Sequence, residues 1–175
     1  NGMIAIGLKG DDELQWVSLT SGNDEIVLTT SGGNAIRFKE KDARAMGRAA
    51  SGVIGIRLEK GERLVGSDVV PANAKGLMLL AVMENGYGKR TNLNAYKIQK
   101  RGGRGIMTAK ITPKTGHLVS AHLTSEENKE LIAVSRKGTV IRTSIESVSE
   151  LGRATQGVRV MKMEPGDVIA SVALV

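Results

Sequence analysis

Residues 77–105 read LMLLAVMENGYGKRTNLNAYKIQKRGGRG and hold one copy of a pattern that the rest of the chain repeats. An apolar run from Leu77 to Val82 is followed by a turn at Gly86 and by a polar stretch that ends at Gly105. Short apolar runs bounded by glycine are typical of buried β-strands joined by tight turns. The segment therefore predicts paired strands, and helical periodicity is mostly absent from it.

The same pattern recurs along the chain at a nearly constant spacing. Glycines at positions 52, 105 and 157 are each followed by an apolar residue, and three further columns keep separations of 53 and then 52 residues. These columns are Gly33, Gly86 and Gly138; Arg37, Arg90 and Arg142; and Arg48, Arg101 and Arg153. About four short strands in about 50 residues is the size of one blade of a propeller-like fold.

The repeat predicts an all-β chain that forms a partial ring of about 3.5 blades, each with about four antiparallel strands. The predicted units are a half blade at residues 1–22 and blade repeats at 23–74, 75–127 and 128–175. The apolar run from Leu14 to Leu19 is predicted to be a strand of the half blade. Two segments, Asp42–Met46 and Ile145–Leu151, have the pattern of a short helical turn.

Composition limits the classes of protein that fit. The chain has 175 residues, 25 Lys and Arg against 18 Asp and Glu, and a net charge of +7, which favours a polyanionic partner. It has no cysteine, which excludes disulfides and thiolate metal sites and suits a reducing cytoplasm. The longest apolar run, Leu77–Met83, is too short to span a bilayer. Aromatic residues make up only 2%, which argues against base stacking as a binding mode.

The basic charge is concentrated in one stretch. No Asp or Glu occurs between Asn85 and Ser125, and eight cations lie there: Lys89, Arg90, Lys97, Lys100, Arg101, Arg104, Lys110 and Lys114. At its centre stands Gln99-Lys100-Arg101-Gly102-Gly103-Arg104-Gly105, which has three glycines and three cations. The equivalent windows, residues 46–52 and 151–157, have two glycines and one arginine each. This enrichment predicts a phosphate-contacting turn, since glycine lets backbone amides and neighbouring cations approach an anion closely.

The repeated arginine columns predict a curved basic stripe on successive blades, which would bend a bound duplex. Arg37, Arg48, Arg142 and Arg153 are therefore candidate DNA contacts, as are Lys89 and Arg90 in the central repeat. Two other interpretations remain for these charges: solvated edge charges that prevent aggregation, and a platform for an acidic protein. For residues 99–105 the alternatives are a glycine-rich connection between strands and a disordered RNA-binding arm, and a single copy framed by strands at a fixed period argues against the arm.

Catalytic and metal motifs are missing from the sequence. Residues 83–91 depart from a phosphate-loop motif at both its first glycine and its final serine or threonine. His117 and His122 have no third candidate ligand nearby, so a metal site is not predicted. Neither tyrosine has the setting of an activated nucleophile. The chain is therefore expected to have no catalytic residue and no cofactor of its own.

The segment Gln99–Gly105 matches, at every position, the glycine-arginine box of the DNA gyrase A protein. The repeats, as in residues 152–159 and 87–91, also resemble the C-terminal domain of that protein, of which the chain resembles the last three to four blades. The resemblance implies a β-pinwheel whose basic rim wraps duplex DNA. The box in this family lies in the first blade, whereas here a full repeat and a half precede it and one repeat follows it.

The resemblance also implies partners and surroundings. It implies the remainder of the gyrase A protein together with gyrase B in an A2B2 assembly, an ATP- and Mg-dependent holoenzyme that supercoils DNA, and a bacterial cytoplasm with the nucleoid. The alternatives are the C-terminal domain of the equivalent protein of topoisomerase IV, which decatenates DNA, and a propeller-like module that binds proteins.

Overall fold

The computed structural model describes residues 2–175, and nearly all of its regular structure is β-strand. The strands are β1 Glu25–Thr30, β2 Asn34–Lys39, β3 Leu64–Val70, β4 Met78–Met83, β5 Tyr87–Asn92, β6 Ile106–Met107, β7 Leu118–Thr124, β8 Glu130–Ser135, β9 Val140–Ser144, β10 Val158–Arg159 and β11 Ile169–Leu174. The helical elements of this part of the chain are three 3-10 turns at Glu40–Asp42, Leu93–Ala95 and Ile145–Ser147. The helical turn predicted at Ile145–Leu151 is thus confined to Ile145–Ser147, and the one predicted at Asp42–Met46 is wrong, because the observed turn ends at Asp42.

The strands form three antiparallel sheets, one for each full repeat. The first sheet has the order β3-β1-β2-β6, the second β10-β5-β4-β7 and the third β11-β8-β9. In the first two sheets the edge strand next to β2 or β5 comes from the following repeat. β6 pairs with β2, and β10 pairs with β5. The second and third repeats therefore each contribute a two-residue strand to the sheet before them, which connects neighbouring blades by backbone hydrogen bonds.

The sheets are arranged so that β3, β7 and β11 lie on the inside. Neighbouring sheets contact one another chiefly through these three strands, whereas β6 and β10 lie at the opposite edges of their sheets. Buried aliphatic side chains fill the space between sheets, as where Val65 and Ala81 pack beside Leu118. The edges formed by β6 and β10 are therefore the outer side of the assembly, as the propeller-like prediction requires.

One glycine column is explained by how closely successive repeats approach. A Cβ atom on Gly33 would lie 2.5 Å from the Ala109 carbonyl oxygen, and one on Gly86 would lie 2.1 Å from the Met161 carbonyl oxygen. Both glycines also have positive φ angles, 89° and 81°. Any side chain at these two positions would separate adjacent repeats, so packing between blades dictates the residue.

The N-terminal segment departs from the prediction. No strand forms between residues 2 and 22, and the predicted strand at Leu14–Leu19 is irregular, with Val17 80% and Leu19 97% exposed. The equivalent strands β3, β7 and β11 each pair with a strand of their own repeat. No described residue supplies such a strand to Leu14–Leu19, so its backbone groups remain without a sheet partner.

Candidate nucleic-acid interface

The outer rim consists of two chain segments that run along the outer edges of β2 and β5. Residues 98–107 bridge to Arg37 at one end and pair with Asn34 at the other. Residues 150–159 follow β5 in the same way, from Arg90 to Tyr87. The predicted box therefore lies on the outer rim, over the edge of the first sheet.

Backbone contacts hold both ends of the box. The Gln99 amide donates to the Arg37 carbonyl oxygen at 2.7 Å. Gly105 lies against Ala35, where a Cβ atom would come within 2.5 Å of the carbonyl oxygen, and its φ is 73°. The last glycine of the box is thus required by the close approach of the rim segment to β2.

Between these ends the chain makes a turn that is anchored on one side only. The Gly102 amide donates to the Gly55 carbonyl oxygen at 2.5 Å, with φ at 78°, and the Gly103 carbonyl accepts from the Arg57 amide at 2.8 Å. Beneath the turn lies the apolar side chain of Ile36. A Cβ atom placed on Gly103 would have the Ile36 Cδ1 atom as its nearest neighbour, at 3.7 Å. The glycines and Ile36 therefore fix the turn from below and leave its outer side open.

Two cations of the box, Lys100 and Arg104, project from this open side. Lys100 is exposed. The Arg104 side chain is 76% exposed and meets one carboxylate, that of Glu59, at 3.2 Å between Nη1 and Oε1. Exposed ion pairs contribute roughly 0–1 kcal/mol to stability, so a phosphate can replace Glu59 at little cost. These two side chains have the exposure that a phosphate contact needs.

Arg101 serves a different purpose from its two neighbours in the box. Its Nε donates to the Asp42 carbonyl oxygen at 2.7 Å and its Nη1 to the Ile54 carbonyl oxygen at 3.0 Å. One repeat later, Arg153 donates to the equivalent carbonyl, that of Met107, at 3.1 Å. Arg101 and Arg153 thus hold the preceding repeat through its backbone, and both residues are half-buried.

The third member of that column, Arg48, makes a weaker contact. Its Nη1 lies 2.7 Å from the Met3 sulfur, in the segment that forms no strand. Thioether sulfur is a weak acceptor, and Arg48 is exposed. Arg48 is therefore the least constrained arginine of its column.

The other arginine column clamps the 3-10 turn of the following repeat. Arg37 donates to the carbonyl oxygens of Leu93 and Tyr96 at 3.1 and 3.3 Å. Arg90 makes the same connection one repeat later, to Val148 at 2.7 Å and to Glu146 at 3.3 Å. Both guanidinium groups are therefore engaged in contacts between blades.

Arg142 completes this column but clamps nothing in the described residues. Its side chain is 63% exposed and pairs with Glu130 of its own hairpin. Arg37 has the same partner twelve residues earlier, Glu25, at 2.5 Å between Nε and Oε2. The ion pair thus forms within one repeat, whereas the hydrogen bonds to backbone carbonyls need the repeat that follows.

Lys89 is the candidate for which the structure and the sequence disagree most. Its side chain is 0% exposed, and its Nζ donates to the Gly152 carbonyl at 2.7 Å, to the Arg153 carbonyl and to Thr155 Oγ1 at 3.0 Å. Burial, with the positive charge of Arg153 as a smaller cause, lowers the pKa of Lys89 to about 8. A fully enclosed ammonium with three acceptors cannot meet a phosphate, so the predicted DNA contact is replaced by a structural position.

Sequence reasoning missed a group of three residues at the outer edge of the second sheet. The Lys114 Nζ atom lies 5.2 Å from the centre of the Tyr87 ring, and the Arg159 Cζ atom lies 6.0 Å from it. The charge pattern marks Lys114 only as one cation of the acid-free stretch, and Arg159 lies outside that stretch. A signal was available, since equivalent positions hold Asn34 in place of Tyr87 and Met107 in place of Arg159.

Neither a metal site nor a membrane span is seen in the part of the chain that the structure describes. Within residues 2–175 no three His, Cys, Asp or Glu side chains are grouped to hold a metal ion. No helix there combines the length and the apolar character that crossing a membrane would require.

The fold and the rim together define a class: repeated antiparallel sheets of three or four strands in a propeller-like arrangement, with a glycine-arginine turn on the outer edge. The family model for the DNA gyrase C-terminal domain, beta-propeller, matches residues 1–21, 24–71, 73–125 and 129–175. The chain belongs to this family, which confirms the resemblance predicted from the box.

Individual relatives agree with this assignment. The chain is 45% identical over 176 aligned residues to the DNA gyrase A protein of Staphylococcus epidermidis, covering 100% of this chain and 19% of the relative. A solved structure of the DNA gyrase A C-terminal domain matches with a TM-score of 0.85 and 32% identity, over 99% of this chain and 58% of that one. The C-terminal domain of DNA topoisomerase IV matches with a TM-score of 0.89 at 23% identity, over 98% and 52%, and shows the fold alone. The chain thus spans about a fifth of the length of its curated relative.

Proposed function

We propose that this chain binds duplex DNA along its outer rim, without sequence specificity, and bends the duplex around the arc of sheets. The observation that carries the proposal is the exposed pair Lys100 and Arg104 on a turn fixed from below by glycines and Ile36. Contacts of this kind are made to phosphates, which are present in every sequence.

The distribution of charge supports the same proposal. Lys97 and Lys110 are also exposed on either side of the box, and no acidic residue occurs from Asn85 to Ser125. Arg48 is exposed, and Arg101 and Arg153, which hold the preceding repeat, are half-buried in the same column. A duplex that follows this rim meets cations on successive sheets and is therefore drawn into a curve.

In the whole protein this rim would act as the DNA-wrapping part of DNA gyrase. The relative at 45% identity is a DNA gyrase A protein, which supports gyrase over topoisomerase IV, whose likeness at 23% identity extends to the fold alone. The wrapped segment would be presented for strand passage in an A2B2 assembly of gyrase A and gyrase B, with ATP and Mg²⁺ used elsewhere in that assembly. We place this activity in the bacterial cytoplasm, at the nucleoid.

Binding is tested by titrating the chain against a labelled duplex of mixed sequence at several salt concentrations. The logarithm of the association constant should fall linearly with the logarithm of salt, by about 0.9 for each phosphate contacted. A second duplex of unrelated sequence should bind equally well. A flat salt response, or binding only to an acidic protein, would show that the rim is a protein-interaction surface instead.

Wrapping is tested separately, by ligating short DNA into circles in the presence of the chain. If the duplex is bent along the arc, the closed circles will retain writhe of a single sign after the protein is removed. Circles without net writhe, from a chain that binds tightly, would mean that the described sheets bind DNA but do not wrap it.

A further inference from the structure

The second sheet carries two cations next to a single aromatic ring, at the point where β5 begins beside the outer strand β10. Arg159 lies in β10, opposite Tyr87 in β5, and Lys114 comes from the loop that precedes β7. Both cations lie within the range of cation–π attraction to Tyr87, at 5.2 and 6.0 Å. Two long, flexible side chains from different repeats are thus brought together by one ring.

These cations are free of carboxylate partners in the part of the chain that the structure describes. The ion pairs found there are Arg37–Glu25, Arg104–Glu59 and Arg142–Glu130, none of which involves Lys114 or Arg159. Both side chains belong to exposed residues, whereas Tyr87 is 9% exposed. The ring therefore serves as a buried support for two exposed and uncompensated charges.

The positive charges of Arg159 and Lys114 also affect the pKa of the Tyr87 hydroxyl. Hydrogen bonding from Arg159, at 3.5 Å between Nη2 and the hydroxyl oxygen, is the main cause that lowers the pKa of Tyr87, and the Lys114 charge adds to it against the effect of burial. A field that favours the tyrosinate anion also favours any other anion placed beside it.

We propose that Lys114, Tyr87 and Arg159 form a second phosphate site for duplex DNA, one sheet further along the rim than the box. This inference rests on the proposed function and assigns a contact that the box does not supply. The two cations bind a phosphate oxygen each or share one phosphate, and Tyr87 holds their spacing.

The position of the group fits the path that the box defines. Arg159 stands where the first sheet has Met107, and each of these residues lies on the outermost strand of its sheet. A duplex that leaves Lys100 and Arg104 over the first sheet next crosses the edge of the second sheet, where this group lies. The contact would therefore extend the bound length of DNA and help to bend it.

The first test is the double variant Lys114→Ala/Arg159→Ala, compared in DNA titrations with Lys75→Ala/Lys129→Ala, which removes the same charge from exposed residues outside the rim segments. We expect an affinity loss of about tenfold, and a salt slope lower by about 1–2, for the first variant alone. Equal losses in the two variants would overturn the site. If neither the variants nor the parent chain bind DNA, the proposed function itself fails.

The second test keeps the fold intact and reads the site directly. The chain has only two tyrosines, so 3-fluorotyrosine labelling gives two fluorine resonances. Adding a short duplex should shift the Tyr87 resonance and leave the Tyr96 resonance unchanged. Tyr96 is only 2% exposed, and its hydroxyl is hydrogen-bonded to Thr108. If Lys114→Ala/Arg159→Ala lowers stability while affinity matches the control and the Tyr87 resonance stays in place, the group is a clamp between repeats and the proposal is wrong.

Discussion

The box turn at residues 100–103 and its counterpart at residues 152–155 lie one repeat apart on the same rim, yet they rest on different side chains. Beneath the box turn lies Ile36, which offers no hydrogen bond. Beneath the counterpart lies Lys89, at the equivalent position, with its ammonium bonded to two carbonyls and a hydroxyl of the turn. The same backbone frame is thus fixed in two ways.

The difference separates a turn that can receive a ligand from one that is held from within. An apolar support fills space under the box and leaves its polar groups and cations to face outward. A buried ammonium instead draws the carbonyls of the counterpart turn inward and places a positive charge next to Arg153. We therefore expect the box turn to govern DNA affinity and the counterpart turn to govern stability.

The largest expected effect is on stability, in the variant Lys89→Ala. It leaves a cavity and two turn carbonyls without their donor, which should lower the free energy of unfolding by about 3 kcal/mol. Urea denaturation measures the loss. Lys110→Ala, which removes an exposed lysine from the same stretch, should stay within about 0.5 kcal/mol of the parent chain. Similar values for both variants would contradict the internal role of Lys89.

The second prediction concerns pH and the same ammonium. The pKa of Lys89 is about 8 in the folded chain against an ordinary value of 10.5, so the folded chain loses this proton first as pH rises. The contribution of Lys89 to stability is then lowest below about pH 7.5 and rises by about 2 kcal/mol between about pH 7.5 and 10. Denaturation curves across this range should show the rise in the parent chain and not in Lys89→Met. A rise of equal size in both chains would assign it to other groups.

The third prediction compares two arginines of one column that have the same ion pair. Arg37→Ala removes the pair with Glu25 and the clamp on the following 3-10 turn, and should cost about 2 kcal/mol. Arg142→Ala removes only the exposed pair with Glu130 and should cost less than about 0.5 kcal/mol. Thermal or urea unfolding of both variants tests this. Equal costs would mean that the carbonyl clamp contributes nothing.

The smallest effect is expected at Glu59, the acidic partner of Arg104. Glu59→Gln removes the one carboxylate that competes with phosphate for this guanidinium, so DNA affinity should rise about two- to threefold. Glu126→Gln, at an exposed residue in the loop after β7, is the matched control and should leave affinity nearly unchanged. A fall in affinity for Glu59→Gln would show that Glu59 positions Arg104 for binding.

Much of the fold could be predicted because the residue types themselves indicate where strands and close approaches of the backbone occur. Buried apolar runs mark β1, β4 and β8, and the glycine column at Gly33 and Gly86 follows from the close approach of successive repeats. The predicted strand at Leu14–Leu19 is wrong because an apolar run forms a strand only beside a partner, and pairing is not a property of the run itself.

The candidate site could be predicted less completely, for a physical reason. Arg37, Arg90, Arg101 and Arg153 all donate to backbone carbonyls of another repeat, and a carbonyl acceptor leaves no trace in residue type. The burial of Lys89, in contrast, could be predicted from the sequence, because the equivalent positions in the other repeats hold Ile36 and Ile141, which are apolar. Comparing columns between repeats therefore separates structural cations from exposed ones better than counting charges does.

The most direct test of the comparison is the DNA affinity of Lys100→Ala/Arg104→Ala measured against salt, beside Lys75→Ala/Lys129→Ala as the control of equal charge. The side chains of both pairs are exposed, and none of them donates a hydrogen bond to a backbone carbonyl of a neighbouring repeat. We predict that the box variant loses about two phosphate contacts, so its salt slope falls by about 1.8 while that of the control is unchanged. Equal slopes and equal affinities for the two variants would contradict the claim that the box turn is the DNA-facing turn of the rim.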